Sequence, residues 1–311
     1  MKLTIPSRLP FLEFLGWQIA DVYRSTPQEM LSTYERGWQY RHIVDISASE
    51  LAFIRQLAGE EKSWLSGEFM DFQLTHHRSI FRILENLDDR LLQGCRVYFG
   101  GGTLISLDLG EYRISNDIDL ICEVGENYRR LRNKFSLCGE RVLLKDNSDL
   151  EIQRFRADRY GIRMAIVVDG VPIKTEIVAE SRFELDPPRR LSWLPVECLS
   201  IVDCFTSKLL ANADRHADAS VYSRDLIDLA FLRLTSAIPA AAIEKAEAAY
   251  GVAPSLDKAI GKFQADSEVR YRCYHHLQIA AANLPRLIDG IDLLAADRGL
   301  DATIRTISET K

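Results

Sequence analysis

The sequence predicts an α+β protein, a small mixed β-sheet set between two helical stretches, and three observations predict it. Residues 1–93 carry apolar side chains at three- and four-residue spacing, the period of a helix with one buried face. Between Cys95 and about Glu184 the pattern changes to short apolar runs separated by turn residues, which is how strands read. From Pro195 onward helical spacing returns. The cluster Asp186-Pro187-Pro188-Arg189-Arg190 breaks both patterns. The expected organisation is therefore a helical N-terminal region over 1–93, a sheet-containing core over 94–188 and a helical C-terminal domain over 189–311.

In chain order, helices are expected at Pro27–Tyr40, Ser47–Leu57 and Asp71–Leu92, with Ser47 and Glu50 spaced as a capping box. His76 and His77 point to different helix faces, so they are expected at the surface and not on a shared metal. Arg96–Phe99 is the first strand, Thr103–Leu109 a short helix, Asp117–Glu123 the second strand and Asn127–Leu137 a helix. Asp169-Gly170 between two apolar runs marks a hairpin, with Pro172 at a strand start or bulge. Further helices are expected at Val196–Ala213, Ser220–Thr235, Pro239–Tyr250, Ser255–Gln264 and Val269–Leu294.

The 311 residues, 47% hydrophobic and 27% charged, suffice for one large core or two smaller ones. A formal charge of -6 excludes a protein that coats nucleic acid with an overall basic surface, so any RNA site must be a local patch. Two tracts offer one: Tyr128-Arg129-Arg130-Leu131-Arg132, and Arg154-Phe155-Arg156-Ala157-Asp158-Arg159-Tyr160, interleave cations with aromatics. The six cysteines show no Cys-x-x-Cys pairing, which reads as a reducing cytoplasm. Pro6, Pro10 and Glu13 interrupt the apolar N-terminus, and no run approaches the roughly 18 to 20 apolar residues of a membrane span.

The chemistry concentrates between Phe99 and Cys122. Gly100-Gly101-Gly102 lets a backbone leave a strand and approach phosphate oxygens closely. Period-two alternation puts Asp117 and Asp119 on one face of the second strand while Ile118 and Leu120 face the core. Two adjacent carboxylates repel unless a cation sits between them, and Mg2+ or Mn2+ prefers such oxygen ligands. A glycine loop plus an acid pair is the minimum apparatus for metal-assisted nucleotidyl transfer. In the second arm of the hairpin Lys174, Glu176 and Val178 share a face. In the C-terminal part Lys208 follows Ser207, and Arg224, Asp225 and Asp228 are spaced to share a helix face in part.

Gly101-Gly102-Thr103 followed by Asn116-Asp117-Ile118-Asp119-Leu120 resembles the signature of the DNA polymerase beta-like nucleotidyltransferase superfamily, and the local wording is similar to its AbiEii/AbiGii (MenT-type) toxin branch. The resemblance implies a nucleotidyltransferase core in which Gly101, Gly102 and Thr103 hold the triphosphate. It makes Glu176 the third acid of the metal set, in place of the commoner aspartate. Ser207-Lys208-Leu209-Leu210 and Arg224-Asp225-Leu226-Ile227-Asp228-Leu229 resemble the downstream motifs of that branch. They imply Lys208 as a triphosphate contact and Asp225 or Asp228 as a member of the catalytic centre, with Arg113 or Arg224 countering phosphate charge. The implied substrate is an NTP and the implied acceptor RNA, tRNA ends first, with a separately encoded antitoxin as partner. Transfer to a protein or small-molecule hydroxyl, and nucleotide binding without turnover, stay open as alternatives.

Overall fold

The computed structural model describes all residues except 1–4, 20, 42, 45, 62, 64, 66–71, 192 and 311. The chain forms two compact units, 1–71 and 72–311. The division thus falls inside the stretch expected as one helical region, and none falls at 188.

In the first unit α1 (Pro10–Leu15), α2 (Pro27–Gly37) and α3 (Ala48–Glu60) enclose Phe11, Leu12, Met30, Tyr34, Ile54 and Leu57. The expected Ser47–Glu50 capping box is only half formed. Ser47 Oγ accepts the Glu50 N–H at 3.2 Å, but the Glu50 carboxylate turns inward. It accepts the N–H groups of Phe11 and Leu12 at 3.0 and 2.9 Å and the Tyr34 hydroxyl at 2.9 Å. Glu50 therefore caps α1, whose first-turn donors lack partners of their own.

The second unit begins with α4 (Thr75–Asn86) and α5 (Asp89–Gly94). The single helix expected over 71–92 is two, because Asp88 accepts the Leu91 N–H at 2.8 Å and starts a new helix; Asp71 lies outside the described residues. Then come β1 (Val97–Gly100), α6 (Gly101–Asp108), β2 (Asp117–Glu123), α7 (Glu126–Cys138), β3 (Glu151–Ala157), β4 (Gly161–Val168) and β5 (Val171–Glu180). The sheet order is β1-β2-β5-β4-β3, with β2 and β5 parallel and the other neighbours antiparallel. The Asp169-Gly170 turn forms as expected, with φ values of 51° and 79°. Pro172 lies at the start of β5, before its pairing with β2 opens at Lys174, where a missing N–H costs nothing to that ladder.

Strand β3 is an element the sequence reading lacks. Its register shifts between Gln153 and Arg156, and Arg154 takes φ 55°, so the alternation that marks a strand is broken by a bulge. At the other edge, residues after the breaker cluster return to the sheet. Phe99 donates to Glu197 O and accepts from Leu199 N–H, both at 2.9 Å.

One sheet face is core, with Ile118, Leu120, Ile162, Met164, Ile166, Ile173 and Ile177 buried. The opposite face carries Asp117 and Asp119 on β2, Lys174 and Glu176 on β5 and Arg163 on β4, in mutual register. The C-terminal helices are α8 (Ile201–Arg215), α9 (Arg224–Arg233), α10 (Ala240–Ala249), α11 (Ala253–Ala265), α12 (Ser267–His276) and α13 (Leu284–Asp297). The helix expected over 269–294 is divided between α12 and α13, with Gln278 at φ 51° and a proline opening α13. Helices α8 and α9 pack under α6. Among the described residues no helix is long and apolar enough to cross a membrane, and all six cysteines are free thiols.

Candidate functional site

Strand β1 enters α6 through the glycines. Gly101 takes φ 70°, and a Cβ there would lie 2.2 Å from Oδ2 of Asp119 and 2.7 Å from its Cβ. Only glycine lets the turn and the aspartate approach this closely. Gly102 is as confined, for a Cβ there would lie 2.2 Å from Nη2 of Arg113 and 3.3 Å from Nζ of Lys208. No side chain caps this end of α6. Its first-turn N–H groups, and the positive end of its dipole, are left to an anion beside Asp119.

Thr103 is fully buried, and its hydroxyl donates toward Asp117 O at 2.5 Å with Ser115 Oγ at 2.7 Å. Its side chain fixes the entry to β2, so its share in anion binding rests with the backbone.

Asp117 and Asp119 are half-buried, and among the described residues neither carboxylate accepts a hydrogen bond or makes an ion pair. Burial first, then the charge of Asp117 and that of Glu176, push the Asp119 carboxyl up to about 6, against the opposing pull of Lys208 and Lys174. An acid pair without protein partners, made of oxygen donors only, is the donor set a hard divalent cation takes. Glu176 lies opposite Asp119 in the β2–β5 register. Its oxygens are held by Arg163 at 3.1 Å and Lys174 at 2.5 Å. Among the described residues no three His, Cys, Asp or Glu side chains converge to hold a metal ion, so the acid pair would draw its further oxygen ligands from substrate and water.

Behind Gly102 lies a buried charge cluster. Arg113 grips Asp228 with two bonds of 2.6 and 2.8 Å, and the Tyr112 hydroxyl donates to the same carboxylate at 2.6 Å. Lys208 Nζ stands 2.7 Å from Asp228 and 3.2 Å from Asp225, and Arg215 makes bonds of 2.5 and 2.9 Å to Asp225. Burial alone would raise the Asp228 carboxyl, but Arg113 and Lys208 overcome it and hold the group below its ordinary value. Burial likewise disfavours the Lys208 ammonium, and Asp228 with Asp225 reverses that, leaving it raised. With three cations against two carboxylates, the cluster carries one net positive charge beneath the glycine turn. The ion-pair partners of Asp228 are thus Arg113 and Lys208, and Arg224 makes no ion pair among the described residues.

Three contributors escaped the sequence reading. Arg215, about a third exposed, links Asp225 to the neighbourhood of Asp119, whose charge it feels. Tyr112 stacks on Phe231 with ring centroids 3.7 Å apart and so locks the loop carrying Arg113 to α9. His77, expected at the surface, is fully buried. Its Nε2 accepts the Ser115 N–H at 3.0 Å, which leaves the proton on Nδ1 to be donated to Glu111 at 2.7 Å. His76 is half-buried and bonds Asn116 O at 3.0 Å. Only the company of Arg113 and Asp228, which is distant in sequence, distinguishes these residues from ordinary core and loop positions.

The family model described as nucleotidyl transferase AbiEii toxin, type IV TA system, matches residues 82–295, about two thirds of the chain. Among solved structures, a candidate nucleotidyltransferase from H. pylori is 15% identical with a TM-score of 0.39, covering 74% of this chain and 96% of its own. JHP933 from Helicobacter pylori is 16% identical with a TM-score of 0.39, covering 74% of this chain and 93% of its own. Likeness at that score bears no weight here. No curated protein matches the chain.

Proposed function

The chain belongs to the AbiEii nucleotidyltransferase toxin family of type IV toxin–antitoxin systems and is a nucleotidyltransferase; from that premise we propose that it moves an NMP from an NTP to a hydroxyl of RNA, a tRNA 3′ end first among the candidates. Membership brings an NTP substrate and an antitoxin partner with it. What supports the proposed site above all is the approach of Asp119 to Gly101, with neither aspartate paired among the described residues.

Asp117 and Asp119 would hold a divalent cation, Mg2+ or Mn2+, which when bound supplies Lewis-acid charge to the phosphoryl oxygens and favours the ionised acceptor hydroxyl. The first-turn N–H groups of Gly101, Gly102 and Thr103 orient the triphosphate. Arg224, without an ion pair among the described residues, and Arg215, partly exposed, counter the charge that builds on the departing pyrophosphate. Lys208 contributes its field from beneath, with Arg113, Asp225 and Asp228 fixing its position. The acceptor oxygen attacks the α-phosphorus, the bond to the bridging oxygen breaks, pyrophosphate leaves, and Glu176 receives the acceptor proton from the neighbouring strand.

Incubation with labelled NTPs, Mg2+ and total tRNA is the test. Label entering nuclease-sensitive RNA, lost in Asp119→Ala while the circular dichroism spectrum is kept, supports the proposal. Label entering protein or a small molecule transfers the acceptor role to that class. Transfer retained in Asp119→Ala refutes the metal assignment.

A further inference from the structure

The open sheet face carries more than the acid pair. Reading across the strands in register, Asp119 on β2 stands opposite Glu176 on β5, Glu176 opposite Arg163 on β4, and Arg163 opposite Arg156 on the edge strand β3. Directly opposed residues share a face, and the side chains bear this out. Glu176 lies between Lys174, 2.5 Å away, and Arg163, 3.1 Å away. One oxygen of Asp158 then lies 3.0 Å from Arg163 and 4.0 Å from Arg156. The carboxylate of Asp158 is itself fixed, its other oxygen accepting the N–H groups of Tyr160 and Gly161 at 2.8 and 3.2 Å. The side chains of Arg156, Lys174 and Arg163 are 78%, 59% and 44% exposed.

The bulge in β3 creates this line. Before it, Gln153 opposes Ala165; continued without interruption, that register would set Phe155 against Arg163 and turn Arg156 to the other face. One extra residue sets Arg156 against Arg163 instead, and Phe155 stacks on Phe135 of α7, ring centroids 5.4 Å apart. Bulges commonly re-aim side chains beside active sites.

We propose that Lys174, Arg163 and Arg156 form the track along which the phosphates of a single-stranded RNA acceptor run to the acid pair, its 3′ end at Asp119 and its upstream nucleotides over the β3 edge. This rests on the RNA acceptor proposed above and adds where it lies. The charge changes from anionic at β2 to cationic at β3, as needed if the 3′ hydroxyl sits by the carboxylates and the phosphates behind it sit on cations. Three strand spacings are about 14 Å, which a stacked strand at roughly 3.4 Å per nucleotide covers in about four nucleotides. The acids Glu176 and Asp158 hold the arginines in place and keep the track from binding anions indiscriminately.

The test is fluorescence anisotropy of a labelled eight-nucleotide single-stranded RNA, titrated with the full chain across a salt series, beside calorimetry of NTP binding. Arg156→Gln is expected to weaken RNA binding several-fold and to reduce the slope of log affinity on log salt by about 0.7, one phosphate contact on a single strand. Arg156→Glu should weaken it further, while Arg90→Gln on the exposed side of α5 should leave both quantities unchanged. NTP binding should be the same in all of them. A dinucleotide competitor should not distinguish wild type from Arg156→Gln. Unchanged affinity and slope in Arg156→Gln, an equal loss in Arg90→Gln, or no binding by the wild type overturns the track. NTP binding that survives in each of those cases leaves the nucleotide site standing by itself.

Discussion

Gly101 is where a single atom matters most. Its backbone is left-handed and a methyl group would overlap the Asp119 carboxylate, so Gly101→Ala incurs about 1–2 kcal/mol of backbone strain and displaces a candidate ligand as well. Transfer should fall by at least a hundredfold while the thermal midpoint falls by only a few degrees, as paired activity and melting measurements would register. Activity within a few-fold of wild type would mean that the glycine serves the turn alone. Asp228 behaves in the opposite way. Asp228→Asn leaves Arg113 and Lys208 buried beside a neutral amide, and loss of one partner of a buried pair typically costs about 3–5 kcal/mol. Urea denaturation should show a loss of that size, and a variant as stable as wild type would contradict the pairing. Lys208, which the resemblance makes a triphosphate contact, is buried between the carboxylates of Asp225 and Asp228.

At the scale of elements, the strongest local patterns were legible and the tertiary ones were not. β2 spans Asp117–Glu123 as expected, because alternation of acids and aliphatics over a half-buried strand leaves little freedom of register. The Asp169-Gly170 hairpin was equally legible from its turn residues. β3 was hidden by its bulge, and the break between α12 and α13 by apolar residues that continue across it. His77 was read as a surface residue because helix geometry separates it from His76, yet the loop 111–116 folds over it and supplies two partners. Burial, against the weaker pull of Glu111, lowers its pKa below the ordinary 6.5. The unfolded chain therefore takes up a proton below about pH 6.5 that the folded chain resists, and stability must decrease as pH falls through that value. The urea midpoint of wild type should drop more between pH 7.5 and 5.5 than that of His77→Gln. Parallel profiles would show that His77 takes up its proton as readily in the folded chain as in the unfolded one.

For the whole molecule, a formal charge of -6 coexists with a local line of cations on the sheet and a buried cluster beneath the glycine turn. Distribution, not net charge, is what an acceptor and a triphosphate meet. The family and the acid pair could be read from a few consecutive residues because they are local motifs. The partners of Lys208 and Asp228 could not, since Arg113 and Asp228 are 115 positions apart and only the packing of α6 on α8 and α9 joins them. The division at 71/72 was hidden for the related reason that the nearest described helices before and after it, α3 and α4, continue one helical pattern.

Calorimetric titration of NTP into the full chain, with and without Mg2+, for wild type and Asp119→Asn, measures whether the acid pair and the glycine turn form one site. Binding to wild type should tighten at least tenfold with Mg2+, and Asp119→Asn should lose that gain while keeping its fold. Binding indifferent to Mg2+ in wild type, or a full Mg2+ gain retained in Asp119→Asn, would show that the two are not joined by a metal-bound triphosphate.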